Sequence, residues 1–184
     1  VKSTEVVVYP VKGRHWPRFP MVFVEVRTDA GLVGLGESLH YRTSGLIESL
    51  RTAGDSLVGK DPFQIEWHWE TLYRRGVNTA AISGLETALW DIVGQACGQP
   101  IYNLLGGRCR DRIRVYVDGF FRGAEYVEEQ YAEKAAAAVE AGFTALKMDV
   151  DEPIPVAQRF HRGISNADLR HCARMVETVR RAVG

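Results

Sequence analysis

The stretch Phe143-Thr144-Ala145-Leu146-Lys147-Met148-Asp149-Val150 decides how the second half of this chain is read. Side chains alternate across a strand, so Ala145, Lys147 and Asp149 share one face and Thr144, Leu146, Met148 and Val150 share the other. The second face suits packing against helices. The first passes from small and apolar to charged toward its C-terminal end. Upstream, Glu125 to Ala141 predicts an Ala- and Glu-rich helix stopped by Gly142, and Ile113 to Asp118 predicts an earlier strand. Downstream, residues 151–164 predict a loop, and Ser165 to Asp168 open a last helix that reaches Val183. Strand, helix, strand, loop and helix in that order are the pattern of parallel βα units.

The first part reads differently. Glu5 to Tyr9 predicts a short strand. Met21 to Thr28 alternates, with Val22, Val24 and Val26 on one side, and Leu32 to Glu37 is its hairpin return after the turn Asp29-Ala30-Gly31. Gly34 and Gly36 have no side chain to pack and predict close approach of another backbone, or a bend. Three helices follow. One is capped by Thr43 or Ser44 and runs to about Val58. The next starts at Asp61-Pro62 and runs to about Arg75. The third starts near Ser83 and is stopped by Gly98-Gln99-Pro100. A boundary near residue 110 divides a 1–110 domain from residues 111–184. A complete (β/α)₈ barrel needs about 250 residues, and two parallel strands cannot cover both faces of a sheet. The chain is therefore expected to be a piece of something longer, or to complete its sheet with another chain.

Over 184 residues, 23 Lys and Arg balance 23 Asp and Glu. That balance argues against a nucleic-acid binder, which needs surplus cations to neutralise phosphate. No uncharged run approaches the roughly 20 residues of a membrane span. Three cysteines without CxxC spacing fit a reducing cytoplasm better than a disulfide scaffold. There is no Walker sequence and no GxGxxG, and Ser38, Ser44 and Ser83 lack a nucleophile-elbow setting.

Lys147 and Asp149, two apart at the C-terminal end of a strand, stand where βα folds bind ligands. They can hold a carboxylate and exchange a proton, or they are a strand-end ion pair that protects a sheet edge. The segment Gly13 to Pro20 mixes Arg14, His15, Trp16 and Arg18. It reads as a loop closing over an anion, or as a solvated connection anchored by one tryptophan. His40 and Tyr41 face a cavity or satisfy local backbone groups near a cap. Trp69 is expected in the core with Ile65 and Leu72, and His68 is expected to be structural. His161 and His171 lack the context of a zinc site.

Several of these segments together resemble the enolase superfamily, in its mandelate racemase and muconate lactonizing enzyme branch. Thr28 to Glu37 resembles that family's capping hairpin. Ser83 to Gly94 is similar to its signature helix, Gly98 to Gly107 to the turn into its barrel, and Ala141 to Asp149 to the second barrel strand with its lysine motif. The resemblance implies an α+β capping domain followed by the first βα units of a (β/α)₇β barrel. It implies Mg²⁺, removal of the proton alpha to a substrate carboxylate, and an enediolate stabilised on the metal. The implied metal ligands lie beyond residue 184, and the implied assembly is a homo-oligomer. Many members carry Lys-x-Lys at this strand. Aspartate at position 149 favours the charged lysine, so Lys147 fits better as partner of a carboxylate than as base. Lys-x-Asp is closer to the acid-sugar dehydratases of the family, and Ser165 to Asp168 is similar to theirs as well. A racemase, epimerase or cycloisomerase, and a non-catalytic truncated member, remain as alternatives. On the same grounds Lys147 and Asp149 carry the chemistry. His15, Trp16, Arg18, His40 and Tyr41 meet a small carboxylate or sugar-acid substrate, with Asp118 and Phe120 lining the pocket.

Overall fold

The structure is a computed structural model, and it describes residues 1–11, 21–38, 45–121, 127–150 and 164–184. Two units separate between Cys109 and Arg110.

In the first unit, β1 (Ser3–Val11), β2 (Met21–Thr28) and β3 (Val33–Ser38) form an antiparallel sheet in that order. Val22, Val24 and Val26 of β2 are fully buried, as the alternation predicts. They pack with α1 (Leu46–Asp55), α2 (Ile65–Arg74) and α3 (Thr79–Cys97). On the opposite sheet face Arg27 bridges Glu25 at 3.0 Å and Glu5 at 2.8 Å.

The two strand glycines meet helix α3. A Cβ on Gly34 would collide with the carbonyl oxygen of Ala88, and one on Gly36 with that of Gly84. Two strand residues advance about 6.7 Å and four helix residues about 6 Å. A Gly-x-Gly strand therefore matches a Gly-x-x-x-Ala helix face at two successive points. At the end of the strand, the buried Ser38 hydroxyl donates to the Ala80 carbonyl.

Three local expectations change. Helix α2 begins at Ile65, because Asp61 builds a preceding turn instead of a cap. Its Oδ1 accepts from the Phe63 amide at 3.0 Å, and its carbonyl lies 2.8 Å from Nε2 of the buried His68. Helix α3 begins four residues before Ser83, because Asn78 Oδ1 accepts from the Ala80 amide at 2.9 Å and caps it. Trp69 lies outside the core, 38% exposed and stacked on Tyr73. The buried stripe of α2 runs through Ile65, His68 and Leu72, at three- and four-residue steps that leave Trp69 to one side. Gly45 precedes α1 in a left-handed conformation, and the expected caps Thr43 and Ser44 lie outside the described residues. After α3 comes the single turn α4 (Ile101–Leu104).

In the second unit, β4 (Val117–Asp118) and β5 (Leu146–Lys147) pair in parallel. They are joined in sequence through α5 (Glu128–Glu140) and followed by α6 (Asn166–Val183). Both strands are much shorter than expected. Among the described residues their ladder consists of two pairs, Val117 with Leu146 and Asp118 with Lys147. Phe121, Tyr131, Ala135, Met175 and Val179 form the core here, with Leu146 and Met148 packed against it. Ser165 caps α6 by accepting from the Asp168 amide at 3.1 Å, and the buried thiol of Cys172 donates to the Val150 carbonyl at 3.0 Å.

Candidate active site

The β4–β5 register pairs Val117 with Leu146 and Asp118 with Lys147. Leu146 and Met148 turn to the helices, so Lys147 and Asp149 project from the opposite face, where Asp118 meets them. Lys147 Nζ donates to Asp118 Oδ1 at 3.1 Å and to Asp149 Oδ1 at 3.1 Å. The three side chains are each about half exposed, 45% for the lysine. Asp118 and Lys147 are the last residues of their strands, and Asp149 lies two residues beyond Lys147.

The hydrogen bond that Lys147 donates to Asp118, and then the one it donates to Asp149, raise the lysine pKa above its usual range. Lys147 is an ammonium at neutral pH. It holds no lone pair to accept a proton, so this arrangement does not make it a resting general base. An ammonium has three N–H donors, and among the described residues two are engaged. With two carboxylates around one cation the cluster sums to a charge of minus one.

Alternation alone places Lys147 beside Asp149. Asp118 was legible only as a pocket-lining residue, because its pairing depends on a register between segments 29 residues apart. The other candidates, His15, Trp16, Arg18, His40 and Tyr41, lie outside the described residues, as does His161. His68 is buried with its Nε2 2.8 Å from the Asp61 carbonyl, in keeping with the structural role expected of it. Phe120 packs against the second core. Among the described residues no group of three or more His, Cys, Asp and Glu side chains is arranged to hold a metal ion. Asp118 and Asp149 share the Lys147 ammonium, so these two carboxylates do not fit a Mg²⁺ site. Among the described residues no helix is long and apolar enough to cross a membrane.

Residues 11–106, just over half of the chain, match the family model of the mandelate racemase/muconate lactonizing enzyme N-terminal domain. The chain belongs to this family. It is 33% identical over 171 residues to the D-gluconate dehydratase of Thermoproteus tenax, a match covering 89% of this chain and 33% of that protein. It is 35% identical over 176 residues to the D-xylonate dehydratase of Haloferax volcanii, covering 90% and 42%. The D-galactonate dehydratase of Variovorax paradoxus is 41% identical over 123 residues, covering 63% and 31%. Among solved structures, a mandelate racemase/muconate lactonizing enzyme from Jannaschia sp. CCS1 superposes on the whole chain with a TM-score of 0.83 at 31% identity, using 52% of its own length. A member of the enolase superfamily from Salmonella Typhimurium does so with a TM-score of 0.82 at 30% identity, again over 52% of its length. The chain thus spans a third to two fifths of these curated relatives and about half of these solved ones.

Proposed function

We propose that this chain is the N-terminal part of an acid-sugar dehydratase. Residues 1–110 are its capping domain, and residues 111–184 are the first two βα units of a (β/α)₇β barrel. The observation that supports this above all is that the three curated relatives named above each act, by name, on a sugar acid. The proposed reaction removes the proton on the carbon alpha to the carboxylate and expels the beta hydroxyl as water. The resulting enol tautomerises to a 2-keto-3-deoxy acid.

The physical obstacle is the weak acidity of that carbon. Charge that appears on the substrate carboxylate must be met by fixed donors or cations. In this reading Mg²⁺ supplies the larger share of that stabilisation, held by residues outside these 184. Lys147 contributes as a donor: its ammonium, fixed by two aspartates at the strand ends, presents one N–H to a substrate oxygen. A group kept protonated in this way stabilises negative charge and leaves proton removal to another residue. Asp149 holds the lysine in place or accepts from a sugar hydroxyl. His15, Trp16, Arg18, His40 and Tyr41 stay in the reading as substrate contacts.

The test uses protein expressed from the whole reading frame. It is supplied with Mg²⁺ and separately with D-gluconate, D-galactonate, D-xylonate and an arabinonate. The expected result is a 2-keto-3-deoxy product from at least one. Deuterium exchange at the alpha carbon without loss of water would point to a racemase or epimerase instead. Neither exchange nor water loss with any of the four would defeat the proposal.

A further inference from the structure

Asp118 completes the Lys147 cluster from a different strand. It closes β4, and Gly119, at φ 67°, turns the chain directly after it. The parallel register sets Asp118 beside the last residue of β5. Its Oδ1 takes one N–H of the ammonium at 3.1 Å, and Asp149 Oδ1 takes another at the same distance. A lysine head on its four-carbon stem otherwise samples many rotamers. Two acceptors supplied by two segments remove that freedom. The cluster carries no surplus positive charge with which to attract an anion from a distance. What it offers is a directed donor.

We infer that Asp118 is a positioning residue: by sharing the Lys147 ammonium with Asp149 it holds that ammonium at the ends of β4 and β5, with the third N–H left for an oxygen of the sugar acid. The role in turnover rests on the dehydratase reading; the placement of the lysine does not. Among the described residues the charged groups that bear on Lys147 are Asp118 from β4 and Asp149 from the segment following β5. Removing the charge at 118 weakens the preference for the ammonium form and releases the side chain. More of the lysine is then free amine open to acylation, and its N–H is no longer held in place for a substrate oxygen.

The experiment compares wild type, Asp118→Asn and Asp118→Glu, each expressed from the whole reading frame. The first readout is acylation of Lys147 by acetic anhydride, followed by peptide mass spectrometry from about pH 7 to about pH 10. Asp118→Asn is expected to react several-fold faster, with its profile displaced to lower pH, and Asp118→Glu to return toward wild type. The second readout is kcat and KM on the sugar acids named above. Asp118→Asn is expected to lower kcat roughly tenfold, the scale of one lost charge-assisted hydrogen bond, with a smaller change in KM. If the acylation profile of Asp118→Asn superposes on that of wild type, or Asp118→Glu fails to restore it, the inference is overturned. If wild type turns over none of the sugar acids, the dehydratase reading falls, and acylation still decides whether Asp118 positions the lysine.

Discussion

Gly36 of β3 lies so close to Gly84 of α3 that a side chain on the strand would enter the helix backbone. The obstacle is a carbonyl oxygen, which cannot rotate away. Gly36→Ala must therefore push β3 off α3 or bend one of them. Overpacking of this kind costs about 1–3 kcal/mol, which in a domain of this size lowers Tm by roughly 5 °C or more. Leu35 points the other way and is 51% exposed, so Leu35→Ala should shift Tm far less. Thermal melts of the two variants check this; equal shifts would contradict the close packing.

Lys147 is half exposed and outside the second core, so Lys147→Ala should leave the fold intact. On the proposed dehydratase reading, in protein expressed from the whole reading frame it should abolish dehydration of the sugar acid. Circular dichroism reports the fold, and assay of the 2-keto-3-deoxy product reports turnover. A variant that keeps wild-type turnover would remove Lys147 from the chemistry.

The same lysine predicts a pH signature. Its pKa is raised in the folded protein, with Asp118 the larger cause and Asp149 the next. A raised lysine contributes its stabilisation fully below its ordinary value of 10.5, and that contribution is lost as pH climbs through the folded-state value. The stability difference between wild type and Lys147→Met should thus be flat across neutral pH and shrink only above about pH 10.5. Urea titrations at a series of pH values measure it. A difference that shrinks between about pH 7 and pH 9 would contradict the sign.

Met175 is fully buried in the small core shared by α5, α6 and the β5 segment. Met175→Ala should cost about 2–5 kcal/mol. Hydrogen exchange should show the loss within residues 110–184, with the amides of α3 keeping their protection. Equal loss in α3 would show that the two units unfold together.

Among the described residues, Asn78 and Ser165 are side-chain caps on the two longest helices, and each accepts from an amide of the first turn. Replacement by alanine should cost about 1 kcal/mol at either position. At Asn78 the loss should appear in the melt of the first unit. An unchanged melt would mean that another group satisfies the first turn of α3.

How much of this was readable in advance differs from residue to residue. Gly34 and Gly36 signalled either a close backbone or a bend, since a strand interior rarely carries glycine without such a reason, and the structure shows the close backbone. Asn78 carried a cap signal ahead of Thr79-Ala80-Ala81, but the apolar periodicity beginning at Leu85 drew the expected start to Ser83. Asp61-Pro62 has the composition of a helix start, yet the carboxylate caps its own turn and the chain carbonyl goes to His68. Trp69 reads as core because it stands at helical spacing from Ile65 and Leu72. Its place on the helix is decided by Ile65, His68 and Leu72.

By itself the sequence determined what depends on backbone periodicity and on local hydrogen bonding. That covers the opposed faces of Leu146 and Met148 against Lys147 and Asp149, the alternation of β2, and the helix start at Ser165. The period of two in a strand and of 3.6 in a helix acts on neighbours along the chain, so it is written there. Only the tertiary structure decided that Asp118 shares the Lys147 ammonium, that Trp69 faces outward and that the parallel ladder is two residues long. Each of these is set by which distant segment lies alongside, and at what register. No run of adjacent residues encodes that choice, because it is made when separate segments pack together.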